Sequence, residues 1–238
     1  MTSLASAVRA ALLSAPDVTR LGSVRRLTSL YAQGQSADSL YFIEDGLIKL
    51  TRTNNTGNRI ILSICGPAHL VGEESLSEEP LAYYTEAEAL TPATVFCIPR
   101  EVARRAAFSG SDLGSALTGY LLQRKLALAE KVELLCLHDV EYRILHYLAE
   151  LSALVKPQED GEGYQLPITQ LELADLIGAT RETTSTTLNQ LERRGLVRLS
   201  RRLLTVPSPP TLRDAAMAKA APPDGTAANS RTVRVPVG

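Results

Sequence analysis

Apolar positions divide this chain into a β-patterned stretch and a helical one. Leu4, Val8, Ala11 and Leu12 share one helical face, so residues 1 to about 20 are predicted to form a short amphipathic packing arm. From 21 to 98, short runs of Leu, Ile, Tyr and Val are cut by Gln33-Gly34-Gln35, Glu44-Asp45-Gly46, Asn54-Asn55-Thr56-Gly57-Asn58, Gly66-Pro67 and Thr91-Pro92. Strands at that spacing predict a sandwich or barrel. Leu47-Ile48-Lys49-Leu50 and Arg59-Ile60-Ile61-Leu62-Ser63-Ile64 should pair across the Asn-rich turn. Helical spacing begins at Pro99, with a short helix to about Phe108. Ser111 and Asp112 then open a long helix reaching about Leu137. Its Leu121, Leu128 and Leu135 repeat every seven residues, and Leu113, Leu117, Leu122, Leu126, Val132 and Leu134 widen the apolar face. One stripe would pack on its own barrel and the other on a partner helix, with Arg124 and Lys125 interrupting the seam. A buried core helix of a single chain is the alternative. A break at His138-Asp139 precedes a helix from Val140 to about Leu154, whose Ile144, Leu145, Tyr147, Leu148 and Leu151 face a core.

After a polar loop, 156–163, the pattern shortens to helix, turn, helix and wing. Thr169 can cap the first helix, and Glu172 three residues on completes a capping box. Leu173, Leu176 and Ile177 form its apolar face, Ala174 permits a close crossing, and Gly178 ends it. Thr180 caps a second helix from about Arg181 to Arg194, stopped by Gly195. Leu196–Leu199 and Leu203–Val206 then read as a short hairpin. Thr184 and Thr187 stand where such a helix usually turns an aliphatic residue to the core. This is the pattern of a winged helix-turn-helix, whose second helix enters the major groove. Arg181 can donate bidentately to guanine and Glu182 can accept from cytosine. Thr183, Ser185, Thr186 and Thr187 suit phosphates or a thymine methyl. Thr169, Gln170 and Thr180 complete the expected DNA-facing set, and Arg198, Arg201 and Arg202 of the wing suit phosphates.

Composition sharpens this little. The 238 residues carry 25 Lys and Arg against 26 Asp and Glu, so attraction to nucleic acid must come from local clustering. Arg181, Arg193, Arg194, Arg198, Arg201 and Arg202 supply it. The apolar runs are too short for a membrane span, no signal peptide is recognised, and a cytoplasmic location is expected. Cys65, Cys97 and Cys136 are few, scattered and odd in number, which argues against disulfides and a thiolate metal cluster. Cys65 and His69, four residues apart, read as a buried strand thiol and a loop imidazole in preference to haem ligands. His138 and His146 read as hinge and helix-surface residues. Beyond Val206, prolines among Ala, Ser, Gly and Thr predict a disordered tail. No Ser-His-Asp order, metal-ligand spacing or P-loop occurs, so no enzyme and no cofactor are expected.

The order of these parts resembles the Crp/Fnr superfamily of bacterial transcription regulators. Asp38–Leu50 is similar to that family's strand–turn–strand signature, and Gly66–Glu73 to the approach to its phosphate-binding cassette. The resemblance implies an α+β fold. Residues 1–110 would form a cyclic-nucleotide-binding-like jelly roll, 111–137 a dimerisation helix, 138–206 the winged helix-turn-helix and 207–238 the tail. It also implies a homodimer on double-stranded DNA with a near-palindromic operator, and RNA polymerase as a partner. In cAMP-responsive members a Gly-Glu pair meets the ribose, and Gly72 and Glu73 match it. The Arg-Ser or Arg-Thr pair for the cyclic phosphate falls on Tyr83 and Tyr84, and the adenine-binding positions read Leu128 and Ala129. Binding of cAMP is therefore not expected. The segment Tyr83–Pro92 is similar to the nitrogen-control branch, which responds to 2-oxoglutarate. Arg124 matches one of its ligand-binding arginines, but the second falls on Tyr83. The leading expectation is a regulator that is effector-independent or takes an unrecognised ligand, with the two tyrosines filling the old pocket. A 2-oxoglutarate or other small-molecule sensor, and a non-DNA scaffold with a vestigial barrel, are the alternatives. A second base-reading Arg of the recognition helix is replaced by Thr186, so the operator should differ from that of cAMP-responsive members.

Overall fold

The structure is a computed structural model that describes residues 4–11, 17–108, 112–158 and 163–220. Helix α1 (Leu4–Ala11) comes first, and Leu12 lies outside the described residues. Strands β1 (Thr19–Val24), β2 (Ser29–Tyr31), β3 (Ser39–Asp45), β4 (Ile48–Thr53), β5 (Arg59–Cys65) and β6 (Leu70–Val71) follow. A single 3-10 turn, Glu73–Leu76, leads to β7 (Glu86–Ala89) and β8 (Ala93–Pro99). Two antiparallel sheets, β1-β8-β3-β6 and β2-β7-β4-β5, face each other as the β-rich domain that the short strands predict. Hairpin β4–β5 forms in the expected place, pairing Lys49 with Ile64. Tyr31, Ile43, Ile48, Leu50, Cys65, Val71, Tyr83 and Val95 fill the interior. The arm is shorter than predicted, because β1 already begins at Thr19. Its Ala7 and Val8 pack with Leu40, Phe42, Leu70 and Ile98 on the outer face of the first sheet.

Helices α2 (Arg100–Phe108), α3 (Asp112–Leu137) and α4 (Val140–Ala153) match the sequence reading to within a residue or two. Only part of the α3 stripe behaves as expected. Leu113, Leu117 and Leu134 are buried against their own chain, whereas Leu121, Leu122, Leu126, Leu128, Val132 and Leu137 are exposed. Leu135 does not continue the exposed stripe: it lies against Gly178, close enough that a Cβ there would meet its Cδ2 at 2.7 Å.

The remaining elements are β9 (Tyr164–Leu166), α5 (Gln170–Ile177), α6 (Arg181–Arg193), β10 (Arg198–Leu199), β11 (Leu204–Val206) and α7 (Pro209–Ala220). The wing has a third strand that the sequence reading did not include, since β9 pairs with β11. The predicted disorder after Val206 is corrected by α7. Leu212 and Ala216 recur at helical spacing and are buried in the core of this domain, and Lys219 lies 3.6 Å from Asp139. One turn of apolar anchorage and these charge contacts are enough to order the segment despite its prolines, which stand in the first turn where proline is tolerated. Residues 221–238 lie outside the described ones.

The barrel and the DNA-binding end share a core. Ile61 of β5 is buried among Leu173, Leu176, Ile177, Leu188 and Leu191, with Ile64 packed against the same cluster.

Candidate nucleic-acid interface and sensor cavity

The helix-turn-helix is built by the capping chemistry its sequence contains. Thr169 Oγ1 accepts from the Glu172 N–H at 3.1 Å, and Glu172 Oε2 accepts from the Thr169 N–H at 2.9 Å, completing the capping box. Gly178 sits at φ 63°, the left-handed region that closes α5, and Ala174 is buried at the crossing. Thr180 Oγ1 then accepts from the Thr183 N–H and starts α6. Thr184 and Thr187, the two apparent misfits, face the core. Their hydroxyls donate to the carbonyls of Thr180 and Thr183 at 2.8 and 2.9 Å, so burial leaves no hydroxyl unpaired. Thr187, expected at DNA, therefore belongs to the packed face.

The opposite face of α6 is open. Arg181, Glu182, Thr183, Thr186, Asn189, Gln190 and Arg193 are exposed and Ser185 is half-buried. Asn189 and Gln190 extend the face by a turn beyond the residues expected from sequence. Arg198, Arg201 and Arg202 are exposed on the wing. Glu192 fixes the wing to α6 by accepting from the Leu199 N–H at 2.8 Å. Thr169 and Gln170 are half-buried at the start of α5, beside the barrel. This is a basic, hydroxyl-rich helix face flanked by arginines, the donor set that reads base edges and phosphates.

At the sensor end only one of the two tyrosines expected to fill it turns inward. Gly72 takes φ 85°, and a Cβ there would lie 2.9 Å from the Ser39 carbonyl oxygen. It starts the turn that carries Glu73 to Arg124, with Oε1 3.4 Å from Nε. Burial pushes the Glu73 carboxyl up, and Arg124 pulls it partly back. Arg124 also donates to Ser63 Oγ at 2.9 Å and to Cys65 Sγ at 3.6 Å. Tyr83 turns inward, stacks on Tyr31 at 3.8 Å and donates to the Ser39 carbonyl at 2.6 Å. Tyr84 turns outward and lies under the Arg52 guanidinium, 4.2 Å from its ring centroid. The chain bends at Tyr84, just before β7, and the two rings part there, so the pair does not plug one pocket together.

A cavity of about 570 Å³ remains between barrel, α3 and α4, bordered by Ser63, Glu73, Tyr84, Arg124, Leu128 and Lys131 among others. His146, predicted on the surface, borders it too, with Nε2 3.7 Å from Glu130. Of the cavity's cations, Arg124 is committed to Glu73 and Ser63, and Lys131 donates to the Leu176 carbonyl at 2.7 Å. Lys125 is exposed. Glu73, Glu74, Glu130 and Glu150 stand on the same walls. His69 bonds to the Gly66 and Pro67 carbonyls, turned to its own loop, and Cys65 is buried.

A β-barrel with a residual cavity, a long helix and a winged helix-turn-helix with an open basic face together define a sensor-domain DNA-binding regulator. Residues 22–109 match the cyclic nucleotide-binding domain family and residues 142–215 the Crp-like helix-turn-helix domain family. The chain belongs to the Crp/Fnr family of transcription regulators. It is 28% identical over 170 residues to the cAMP-activated global transcriptional regulator CRP of Salmonella typhimurium, spanning 71% of this chain and 81% of that one. It is 25% identical over 186 residues to the global nitrogen regulator of Synechococcus elongatus, spanning 77% and 84%. A CRP-family transcriptional regulator from Thermus thermophilus superposes with a TM-score of 0.70 at 25% identity, covering 84% of this chain and 96% of that structure. No helix among the described residues is long and apolar enough to cross a membrane.

Proposed function

We propose that this regulator is a homodimer that binds a near-palindromic operator sequence-specifically without a small-molecule effector, in the cytoplasm and beside RNA polymerase. One observation carries the reading. The whole reading face of α6, from Arg181 to Arg193, is open while the helix-turn-helix is already docked on its own barrel. Arg181, Glu182 and Thr183 read bases, with Thr169, Gln170, Thr180, Ser185 and Thr186 around them, and Arg198, Arg201 and Arg202 hold phosphates. Dimerisation through α3 is supported by Leu121, Leu122, Leu126, Leu128 and Val132, all exposed on one helix of a single chain.

The cavity argues against cAMP and against 2-oxoglutarate. Either ligand brings negative charge, and Arg124 is already paired with Glu73 while three further carboxylates, Glu74, Glu130 and Glu150, outnumber Lys125 and Lys131 around the space. An uncompensated anion in such surroundings is disfavoured. Tyr83, at the position of the missing arginine, donates inward to Ser39 and is not available to the cavity.

The test is anisotropy on DNA from the gene's own upstream region, at fixed physiological salt and without ligand. Selective binding unchanged by saturating cAMP or 2-oxoglutarate is the expected result. A requirement for either ligand refutes effector independence. Arg181→Ala should cost about 1–3 kcal/mol and relax specificity at one position per half-site. An equal loss on all sequences would reassign Arg181 to a phosphate.

A further inference from the structure

Helix α5 is gripped at both ends by charged groups that lie outside the helix-turn-helix. At its start, Lys49 of β4 places Nζ 2.9 Å from Glu172 Oε1 and 2.7 Å from Glu88 Oε1 of β7. Glu172 Oε2 is shared between the Thr169 cap and Arg26, whose Nη2 is 3.5 Å away. One turn on, Arg59 of β5 donates through Nε and Nη2 to Asp175 Oδ2, at 2.9 and 2.7 Å. At the far end Lys131 of α3 and Arg143 of α4 donate to the Leu176 and Ile177 carbonyls, each at 2.7 Å.

We propose that Lys49 and Arg59 are positioning residues for DNA recognition: their ion pairs with Glu172 and Asp175 fasten α5 to hairpin β4–β5 in the arrangement that presents α6 to DNA. This deepens the effector-independent reading and rests on it.

Three observations carry the inference. Lys49 and Glu172 are each only 5% exposed, so both charges are desolvated, and separating them gives up a buried ion pair and leaves Lys49 with Glu88 alone. Glu172 is also the third residue of the α5 capping box, so the group that starts the helix is the group that docks it. Lastly, Leu173, Leu176 and Ile177 of α5 share one core with Leu188 and Leu191 of α6, and Ile61 of the same hairpin lies in it. Fastening α5 therefore fixes α6, and the fastened state leaves Arg181, Glu182, Thr183 and Thr186 exposed. The contact holds an open reading face and does not mask it. Internal charges would thus do what a bound effector does elsewhere: favour one of two domain arrangements.

The test uses the full chain, with operator affinity by anisotropy and backbone exchange by hydrogen–deuterium mass spectrometry. Arg59 is at the rim, with 42% of its side chain exposed, so Arg59→Asp should fold. Arg59→Asp and Asp175→Arg should each weaken operator binding about tenfold, a usual size for coupling between sites, and speed exchange in β5 and α5. The double variant should restore both. Lys49→Arg should retain affinity and Lys49→Met lose it. The proposal is overturned if the single variants bind the operator like wild type, or if the double variant does not recover. If wild type selects no operator, the DNA reading itself fails and the proposal falls with it. If wild type and the variants all select it equally, only the positioning role falls.

Discussion

Lys131 is the residue whose environment says most about its charge. It is 4% exposed, and none of the described carboxylates lies within ion-pair distance of its Nζ. Burial, and Arg143 nearby, lower it to about 8, although the carbonyl end of α5 favours a cation there. The folded value is below the unfolded one, so between pH 8 and 10.5 the unfolded chain binds the extra proton. Raising pH through that window therefore stabilises the fold, by at most about 3 kcal/mol. Below it, the cost of the buried charge is fully present. Lys131→Met should accordingly gain on wild type at about pH 7 and lose that advantage by about pH 10, read from urea unfolding of both proteins. An advantage that does not change with pH would mean the amine is neutral, or well solvated, throughout. Nothing in the sequence marked this lysine, because a charge in a mixed helical seam reads as surface. Thr169, Glu172, Gly178 and Thr180, by contrast, were legible, since capping acts within one turn of chain. Tyr83 and Tyr84 were legible as departures but not in their directions. Those depend on Tyr31 and Arg52, which are remote in sequence.

At the scale of elements, α3 divides its leucines between two tasks. The sequence repeat places Leu121, Leu128 and Leu135 on one line, but a line of equal spacing does not say what each point meets. Leu135 meets Gly178 at the α5–α6 turn, whereas Leu121 and Leu128 are 42% and 55% exposed. Replacing both exposed residues, Leu121→Lys with Leu128→Lys, should convert a dimer to a monomer in sedimentation equilibrium and weaken operator binding steeply. Leu135→Ala should leave the dimer intact and lower stability instead, by less than the roughly 2–5 kcal/mol of a fully buried leucine, since Leu135 is half-buried. Dissociation by Leu135→Ala, or a stable dimer with both lysines, would move the subunit contact off this helix. Helix α7 shows the converse limit on reading sequence. Its composition resembles a linker, yet Leu212 and Ala216 bury against α4 because the rest of the domain offers them a groove.

At the scale of the whole molecule, the sensor barrel and the DNA-binding end do not behave as separate cores joined by a hinge. Ile61 is 1% exposed within the cluster of α4, α5 and α6, although it belongs to a barrel strand. Lys49–Glu172 and Arg59–Asp175 cross the same boundary. A break at His138-Asp139 was evident from sequence, and it reads as a hinge until the packing is known. His138 stacks on Tyr142 at 3.9 Å, and Asp139 caps α4 by accepting from the Tyr142 N–H, so the connection is itself ordered. Shared apolar burial and buried charge make undocking cost more than two weakly coupled domains would permit. Calorimetry should therefore show one cooperative transition, with calorimetric and van't Hoff enthalpies equal per folding unit once protein concentration is held fixed. Ile61→Ala should weaken the shared contact, to which Ile64 also contributes, without touching DNA. It should split the transition into a barrel step and a separate step for the DNA-binding end, and slacken operator binding in parallel. Two resolved transitions in the wild type would mean the domains are independent, and the open face of α6 would then owe nothing to the barrel beneath it.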